Sequence, residues 1–325
     1  MAHLMESSFY VRTPAWHGLG NVLAEAPNTD EAYVASGLDW KVERFPLVFQ
    51  HNGNLHETQE FALVRDKDMR VLGTCRERYN ILQNKEAFGW CDPLVTSDLW
   101  TYETAGALRN GEVCWILLKQ GEIELVHDDV LKQYLLFMWS HDGSRAVQVM
   151  PTTIRVVCNN TLQVALNEDG IKNKIKHTMK MNMRLEEVRK IYSETKAAFE
   201  KQNDAFKRML DVKIDAGFVD TYLDKVMDRA YGMSIKDIEE MKDGKAKTTA
   251  NNVLSTFRES VYKGSGTKEL GIVNTLYGLF NGVEESVEHY IGGNRIKDRG
   301  NNILFGNGKK VVDIAFDTAM EYVAA

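Results

Sequence analysis

Apolar and polar residues alternate along much of the first half of the chain. Runs with this period of two cover residues 44–50, 60–65, 70–75, 99–104, 112–119, 123–126, 133–139 and 146–158. Such alternation predicts short β-strands. Asn52-Gly53 predicts a tight hairpin turn between the first two strands, and Gln120-Gly121 predicts another turn. Short helices are expected over residues 30–37 and 84–94.

The pattern changes to helical spacing after Gly170, where we expect the strands to stop. Apolar side chains recur every three or four residues between 184 and 212, which predicts one long helix. Further helices are predicted over residues 216–229, 234–241, 247–261, 267–291 and 311–323. The Gly- and Ser-containing segment 263–267 indicates a flexible break.

These elements predict an α+β fold. A β-rich half with an antiparallel sheet, residues 1–170, precedes a helical half, residues 171–325, which packs on the first half or on a neighbouring subunit. Pro151 interrupts the last predicted strand of the first half. Because proline cannot donate a ladder hydrogen bond, we expect an edge, a bend or a switch to helix at this point.

The composition is typical of a globular protein, with 325 residues, 44% of them hydrophobic and 26% charged. No apolar run approaches the roughly 18 residues of a membrane helix, and no secretory signal is visible. Cys75, Cys91, Cys114 and Cys158 are widely separated. Scattered cysteines fit a reducing compartment, so we expect a protein of the bacterial cytoplasm without a membrane partner.

Charge is distributed unevenly along a chain whose formal net charge is -6. Residues 1–170 carry 14 basic and 23 acidic side chains, a net of -9, and the remainder carries 26 and 23, a net of +3. Residues 171–190 alone hold seven basic and two acidic side chains. The only concentrated basic feature therefore lies just past the middle of an acidic protein.

This basic segment is the main functional candidate. Lys172, Lys174 and Lys176 alternate around Ile175, so an extended backbone would place them on one face, and the cluster continues to Lys180 and Arg184. A row of this kind could bind phosphates. The alternative is a solvated connector between the halves. Two further candidate nucleic-acid-binding residues precede the segment, Arg155 and Asn160.

Catalytic motifs are missing from the sequence. There is no HExxH, phosphate-binding loop, EF-hand loop or CxxC. His141-Asp142-Gly143 favours an Asp-Gly turn, His17 favours a packed N-terminal turn, and Cys158 has no neighbouring base. We therefore expect a non-enzymatic protein with no catalytic or metal-binding residues and no cofactor.

Four passages together resemble one known family. They are Phe-Tyr-Val (9–11) with Trp-His-Gly-Leu-Gly (16–20), Glu-Arg-Tyr-Asn-Ile-Leu-Gln-Asn (77–84), Met-Pro-Thr-Thr-Ile-Arg-Val-Val-Cys-Asn-Asn-Thr-Leu (150–162) and Asn-Thr-Leu-Tyr-Gly-Leu-Phe-Asn-Gly-Val-Glu-Glu-Ser-Val-Glu-His-Tyr (274–290). The chain resembles the phage/plasmid-like protein family, domain of unknown function 932, with Tyr277 and Gly282 where Trp or Ala is common. The resemblance implies a mobile genetic element and leaves the activity open.

Two function hypotheses follow. In the first, the protein binds single-stranded DNA, promotes annealing or recombination, and forms a homo-oligomer. In the second, it is an interaction protein that inhibits a host defence protein or nuclease, because an acidic surface can occupy a basic nucleic-acid cleft. A metal- or nucleotide-dependent enzyme is a third interpretation, without a motif to support it.

Overall fold

The computed structural model describes residues 5–12, 20–126, 129–144, 147–155, 160–162, 173–175, 185–268, 270–292, 302–303 and 306–324. The strands are β1 Met5–Val11, β2 Asn21–Leu23, β3 Val42–His51, β4 Asn54–Arg65, β5 Arg70–Arg76, β6 Thr101–Leu108, β7 Val113–Glu124, β8 Val130–Ser140, β9 Val147–Arg155, β10 Asn160–Leu162 and β11 Asn173–Ile175. The helices are α1 Thr29–Ala35, α2 Asn84–Val95, α3 Leu185–Asp211, α4 Ala216–Tyr231, α5 Ile235–Glu240, α6 Lys245–Lys263, α7 Ser265–Lys268, α8 Leu276–Glu285 and α9 Asn307–Ala324.

The strands form two sheets within the described residues. The larger sheet has the order β10-β9-β8-β7-β6-β1-β2, and β11 also pairs with β9. Its pairs are antiparallel except for β1 with β2. The smaller sheet is the meander β3-β4-β5. The prediction of an α+β fold with an antiparallel β-rich half and a helical half is confirmed.

The predicted hairpin turn at Asn52-Gly53 is also confirmed. Both residues have positive φ, +48° and +82°, as a tight two-residue hairpin turn requires. The pair His51↔Asn54 flanks the turn directly. Local turn chemistry therefore sets the register of the β3–β4 hairpin.

Strand β8 runs through the middle of the core and is buried on both faces. Leu135, Phe137 and Trp139 pack with α1, α2 and the smaller sheet, whereas Leu136 and Met138 face the opposite side. A strand buried on both faces has a nearly continuous apolar sequence, as β8 has.

Helix α3 joins two hydrophobic clusters. Its Phe199 belongs to the cluster of the β-rich half, and its Phe206 belongs to the cluster of the helical half. Phe206 stacks on Phe280 of α8 with a centroid distance of 6.1 Å. The periodicity that predicts this helix therefore reflects two successive contacts along one face. None of the helices in the described ranges combines the length and apolar character that crossing a bilayer requires.

The predicted turn at Gln120-Gly121 is wrong. Strand β7 pairs with β8 on both sides of this dipeptide, through Lys119↔Tyr134 and Gly121↔Gln133. The register shifts between these pairs, so Gln120 is the extra residue of a β-bulge. A glycine within an alternating run fits a bulge as well as a turn, so the sequence pattern alone does not distinguish the two at Gln120-Gly121.

The expectation that strands stop after Gly170 is wrong as well. Strand β11 forms within the basic segment and pairs with β9 at Val147–Val149, while β10 pairs with β9 near Arg155. Both short strands lie on the edge of β9 that faces away from β8. The sequence pattern gives little sign of them because each has only three residues.

Pro151 lies between the two short strands. It pairs with Leu135 of β8, while the β10 and β11 pairings cover residues 153–155 and 147–149 of β9. A residue without a backbone N–H is tolerated at a sheet edge. The edge position expected from the sequence therefore fits this arrangement.

The prediction of one helix over residues 267–291 is wrong, whereas the predicted break at 263–267 coincides with the end of α6 and the start of α7. α7 forms directly after Gly264, and the Glu285 carboxylate accepts hydrogen bonds from the N–H groups of Ser265 at 3.2 Å and Gly266 at 3.4 Å. Thr275 then caps a separate helix, α8, by accepting from the N–H of Gly278 at 3.0 Å. The group that caps α7, Glu285, is distant in sequence, and the group that caps α8, Thr275, lies inside an apolar run. Apolar periodicity alone therefore predicts one helix where the structure has two.

Candidate functional site

Most of the predicted nucleic-acid-binding side chains lie outside the described residues. Those wholly outside are Lys172, Lys176, Lys180 and Arg184. For Lys174, Arg155 and Asn160 only the backbone is described. Their role in binding nucleic acid therefore stays a prediction, and His17 and Cys158 also lie outside the described ranges.

The backbone of β9 relates three of these positions. Arg155 is the Cα partner of Asn160, and Lys174 is the Cα partner of Gln148. Positions 148 and 155 are about 24 Å apart along the strand, at roughly 3.4 Å per residue. The structure thus brings Arg155 and Asn160 together at one end of β9 and places Lys174 at the other end.

A cavity of about 300 Å³ lies at the Arg155 end of the larger sheet. Arg155 pairs with Leu131 of β8, which pairs with Ile123 of β7, directly after the cavity residues of that strand. Position 155 is therefore about 10 Å from β7 across the sheet. We call this space the bulge cavity; it is lined by Val11, Arg12, Ala26, Asp98, Leu99, Trp100, Thr101, Glu103, Lys119, Gln120, Gly121 and Glu122.

Two β-bulges in neighbouring strands shape the bulge cavity. Tyr102 pairs with Leu118 and Thr104 pairs with Leu117, so Glu103 is an extra residue in β6. Gln120 is the extra residue in β7. Bulges redirect side chains and are frequent beside functional sites. Here both bulged residues line the same cavity.

The backbone at the rim adopts uncommon conformations. Arg12, directly after β1, has a φ of +65°, and Asp98, between α2 and β6, has a φ of +56°. The Arg12 N–H donates to the carbonyl of Leu23 at 2.7 Å, which holds this conformation against β2. Residues other than glycine with positive φ are uncommon and occur both in tight turns, as Asn52 does, and at functional sites.

Two buried polar atoms at the cavity have no hydrogen-bond partner in the described part of the chain. They are the indole nitrogen Nε1 of Trp100 and the amide oxygen Oε1 of Gln120. The Trp100 side chain is only 1% exposed, so water does not replace the missing acceptor. An unpaired buried polar group costs about 1–3 kcal/mol, and because both atoms have almost no accessible surface they lie behind the cavity wall.

The sequence model of the family described as "Domain of unknown function (DUF932)" matches residues 71–304, well over half of the chain. The chain belongs to the DUF932 family. No curated protein and no solved structure matches the chain. The DUF932 match includes the cavity residues from Asp98 to Glu122, whereas Val11, Arg12 and Ala26 precede it.

The carboxyl group of Glu103 is a perturbed acid at the bulge cavity of this DUF932 chain. Burial raises its pKa above the ordinary value. Lys119, Lys132 and Arg12 oppose the shift, as does the hydrogen bond that the Tyr134 hydroxyl donates to Oε1 at 3.4 Å. Glu103 can therefore retain its proton to higher pH than an exposed glutamate and donate or accept a hydrogen bond.

Glu122, on the neighbouring strand β7, has a pKa shifted in the opposite direction. Lys119 Nζ donates a hydrogen bond to its Oε1 at 2.6 Å and lowers its pKa. Two carboxyl groups of the DUF932 cavity are thus driven apart in acidity by their surroundings. Such divergence is characteristic of sites that exchange protons or hydrogen bonds with a ligand.

His141 and Asp142 have structural roles in this DUF932 protein, as the sequence pattern favours. His141 Nε2 lies 2.8 Å from Asn84 Oδ1, and Asn84 Nδ2 donates to the carbonyl of Leu38 at 3.1 Å. Asp142 Oδ1 accepts from the N–H of Ser144 at 2.8 Å, and Gly143 has a φ of +76°. The predicted Asp-Gly turn is confirmed, and the Asp142 side chain stabilises that turn.

The described cysteines of the DUF932 chain are buried thiols. Cys91 and Cys114 are fully buried, and burial raises the pKa of both. A raised pKa disfavours the nucleophilic thiolate. Across the described ranges, no group of three or more His, Cys, Asp or Glu side chains is arranged to hold a metal ion.

Sequence reasoning missed the cavity residues. Gln120 was assigned to a turn, and Glu103 and Trp100 carry no recognisable motif. The bulges that gather them depend on the relative register of β6, β7 and β8, which no single strand encodes. The sequence signal that could have indicated the bulges is the position of Gln120-Gly121 and of Glu103 within alternating runs that predict strands.

Proposed function

We propose that the protein binds single-stranded DNA along the edge of β9, at the end of the larger sheet that carries Arg155, Asn160 and the bulge cavity. The observation that carries this proposal is the pairing of β9 with β10 and β11, which puts the backbone positions of Arg155, Asn160 and Lys174 on one edge of the sheet. Lys132 of β8 lies beside β9 at the same end, as the Cα partner of Ile154. Basic residues on one edge of a chain of net charge -6 favour a specific anionic partner over general charge attraction.

The basic segment extends this surface in the proposal. β11 anchors the segment on the edge of β9 that also carries β10. A strand of DNA that follows this edge would pass from Lys174 toward Arg155 and Asn160. In this proposal Lys172, Lys176, Lys180 and Arg184 add phosphate contacts, and the protein acts without enzymatic activity.

The proposed setting is DNA annealing or recombination for a phage or plasmid, in the cytoplasm of the bacterial host. The proposed assembly is a homo-oligomer. Measurement of molecular mass in solution with and without a single-stranded oligonucleotide tests the proposed assembly and its dependence on DNA, because DNA-dependent assembly changes the mass by whole subunits. A fluorescence assay with complementary strands tests annealing.

The decisive test is affinity for a short single strand across a salt series. Each phosphate contact contributes about 0.7 to the slope of log affinity against log salt for single strands. Replacing Lys172, Lys174 and Lys176 by Glu is expected to weaken binding and to reduce the slope by about 2. The matched control replaces the exposed Lys236, Lys242 and Lys263 by Glu, with the same charge change on α5, α6 and the segment between them.

Binding that is absent at low salt contradicts the proposal. Equal weakening by both triple variants also contradicts it, because general electrostatics would then explain the effect. Replacement of Arg155 by Ala tests the sheet end separately and is expected to weaken binding without changing the protein's mass in solution.

A second candidate is an interaction protein that inhibits a host defence protein or nuclease. The observation that favours it is the tip of the β3–β4 hairpin, residues 48–60, which we call the arm. Every arm residue is exposed, and Val48, Phe49 and Leu55 are 48%, 55% and 70% exposed. The arm contains no Lys or Arg and carries Glu57 and Glu60.

Exposed apolar side chains such as Val48, Phe49 and Leu55 fit a protein surface better than a phosphate backbone. The discriminating experiment is a pull-down from host extract with wild-type protein and with the double variant Phe49→Ser, Leu55→Ser. A stoichiometric protein partner that only the wild type retains, together with no DNA affinity, favours this candidate over the first.

A further inference from the structure

The arm has two free strand edges as well as two exposed faces. β3 is the outer strand of the smaller sheet, and β5 pairs with β4 only from Glu60 to Arg65. Among the described residues, no strand therefore pairs with the outer edge of residues 48–51 or of residues 54–57. A two-stranded ribbon is only marginally stable in water, and an edge with free N–H and C=O groups is a template for a further strand.

Apolar side chains lie on both faces of the arm. Phe49 is the Cα partner of His56, so these two side chains share one face. Val48 and Leu55 lie on the other face, because successive residues of a strand alternate between the faces. Leu55, at 70%, is the most exposed large apolar side chain in the described part of the chain. A partner that docked on one face would leave the other exposed, whereas a strand added at an edge extends both faces.

The two edges of the arm differ in charge. The pair that closes a two-residue turn is hydrogen-bonded, so His51 directs its backbone groups toward β4, whereas Val48 and Gln50 direct theirs outward. We call this outward side of residues 47–51 the β3 edge. With histidine neutral, the β3 edge carries no charged side chain. The opposite edge carries Glu57, and antiparallel pairing of that edge with itself would bring like charges together.

We propose that the β3 edge pairs antiparallel with the β3 edge of a second copy of this chain, about a two-fold axis. This inference rests on the homo-oligomer of the proposed function and names its contact. A two-fold contact requires a surface that is complementary to itself, and an uncharged strand edge meets that requirement. The product is a four-stranded ribbon in which the apolar side chains of each face gain neighbours from the second copy. A basic cleft of a nuclease would instead match acidic side chains, which the β3 edge lacks.

The test is the molecular mass of the full-length protein in solution without DNA, measured by light scattering after size-exclusion chromatography. Wild type is expected at an even multiple of the mass of one chain, and Gln50→Pro is expected to halve that mass. Proline removes an outward N–H of the β3 edge but no hydrogen bond between β3 and β4, so the arm itself is retained. Glu57→Pro is the matched control, because it removes an outward N–H from the opposite edge and should leave the mass unchanged.

Circular dichroism checks that each variant is folded. Both hydrophobic clusters that α3 joins lie within one chain, so loss of the pairing separates the copies without unfolding them. If Gln50→Pro is unfolded, Gln50→Lys takes its place, since it keeps the N–H but sets like charges beside the two-fold axis. We expect Gln50→Lys to weaken association about fivefold, and association as tight as that of wild type overturns the proposal.

The outcomes separate this inference from the DNA-binding proposal. A dimer that Gln50→Pro dissociates and that binds no oligonucleotide supports the pairing and contradicts the DNA proposal. A protein that binds oligonucleotides but has the mass of one chain in their absence overturns the pairing and leaves DNA binding intact. Equal masses for wild type and Gln50→Pro, or an equal loss of mass in Glu57→Pro, also overturn the pairing. A monomer whose arm retains a host protein overturns it in favour of the second candidate.

Discussion

The bulge cavity is concave and lined by both charged and apolar side chains, whereas the arm is convex and exposed along its whole length, with Val48, Phe49 and Leu55 as its apolar side chains. At the cavity, two carboxyl groups have pKa values shifted in opposite directions. On the arm, Phe49 stacks on His56 at a centroid distance of 5.2 Å, and apolar side chains face solvent. The two surfaces therefore differ in chemistry: charged side chains gather at the cavity, whereas exposed apolar side chains project from the arm.

The largest expected difference between these regions is in their sensitivity to a change of strand length. Deleting Gln120 makes Lys119 and Gly121 consecutive, so both keep their partners Tyr134 and Gln133 and the bulge of β7 is lost without a change of register. Because β7 must then straighten beside the remaining bulge of β6, we expect a loss of about 2 kcal/mol in the free energy of unfolding, measured by urea denaturation. A loss below about 0.5 kcal/mol would show that the bulge is not held by its neighbours.

Glu122 is expected to show the next largest effect, because its carboxylate is paired with Lys119 at 2.6 Å. The lowered pKa means that Glu122 contributes stability above its ordinary value of 4.5 and that this contribution is lost as pH falls below it. Glu122→Gln should therefore be less stable than wild type at neutral pH, by no more than about 1 kcal/mol for a partly exposed pair. The difference should disappear in acid, and a difference that grows in acid contradicts the assignment.

Glu103 is expected to respond to pH with the opposite sign. Its raised pKa means that the folded state favours the protonated carboxyl, so the stability from this group is complete below 4.5 and is lost as pH rises through the raised value. Glu103→Gln mimics the neutral form and should gain stability relative to wild type between pH 4 and neutral pH. Thermal unfolding of both proteins across this range checks the sign, with Glu124→Gln as the exposed control on β7.

The smallest effect is expected on shortening the arm. Deleting Gln50, His51, Asn54 and Leu55 removes two residues from each strand, so alternation is kept and the Asn52-Gly53 turn follows Phe49 directly. Because all removed side chains are exposed, stability should change by less than about 0.5 kcal/mol. DNA affinity should also be unchanged. A large loss of DNA affinity would assign nucleic-acid binding to the arm instead of the cavity.

The parts of the fold that local chemistry determines follow from the sequence. The helices α3, α4, α6 and α9 have clear apolar periodicity, and Asn52-Gly53 specifies its turn. The division of 267–291 into α7 and α8 could not be predicted, because the N–H groups of α7 are bonded by Glu285, about twenty residues away. Contacts of this range leave no local pattern.

The candidate site also depends on contacts between residues that are distant in sequence. Glu103 and Gln120 become cavity residues only because β6, β7 and β8 change register beside each other. The basic segment, in contrast, is evident from charge alone, and the structure adds that β11 attaches it to β9. The charge pattern therefore identifies the basic segment, whose binding role stays a prediction, whereas the cavity wall depends on the relative placement of three strands.

The most direct test of the account is photocrosslinking of a single-stranded oligonucleotide that carries 5-iodouracil, followed by mass spectrometry of the crosslinked peptides. The account predicts crosslinks in the peptides that contain Trp100 and Lys119–Glu122, lost on competition with unlabelled single strand. Crosslinks confined to residues 48–60, or no crosslinks at low salt, would contradict the claim that this end of the larger sheet binds DNA.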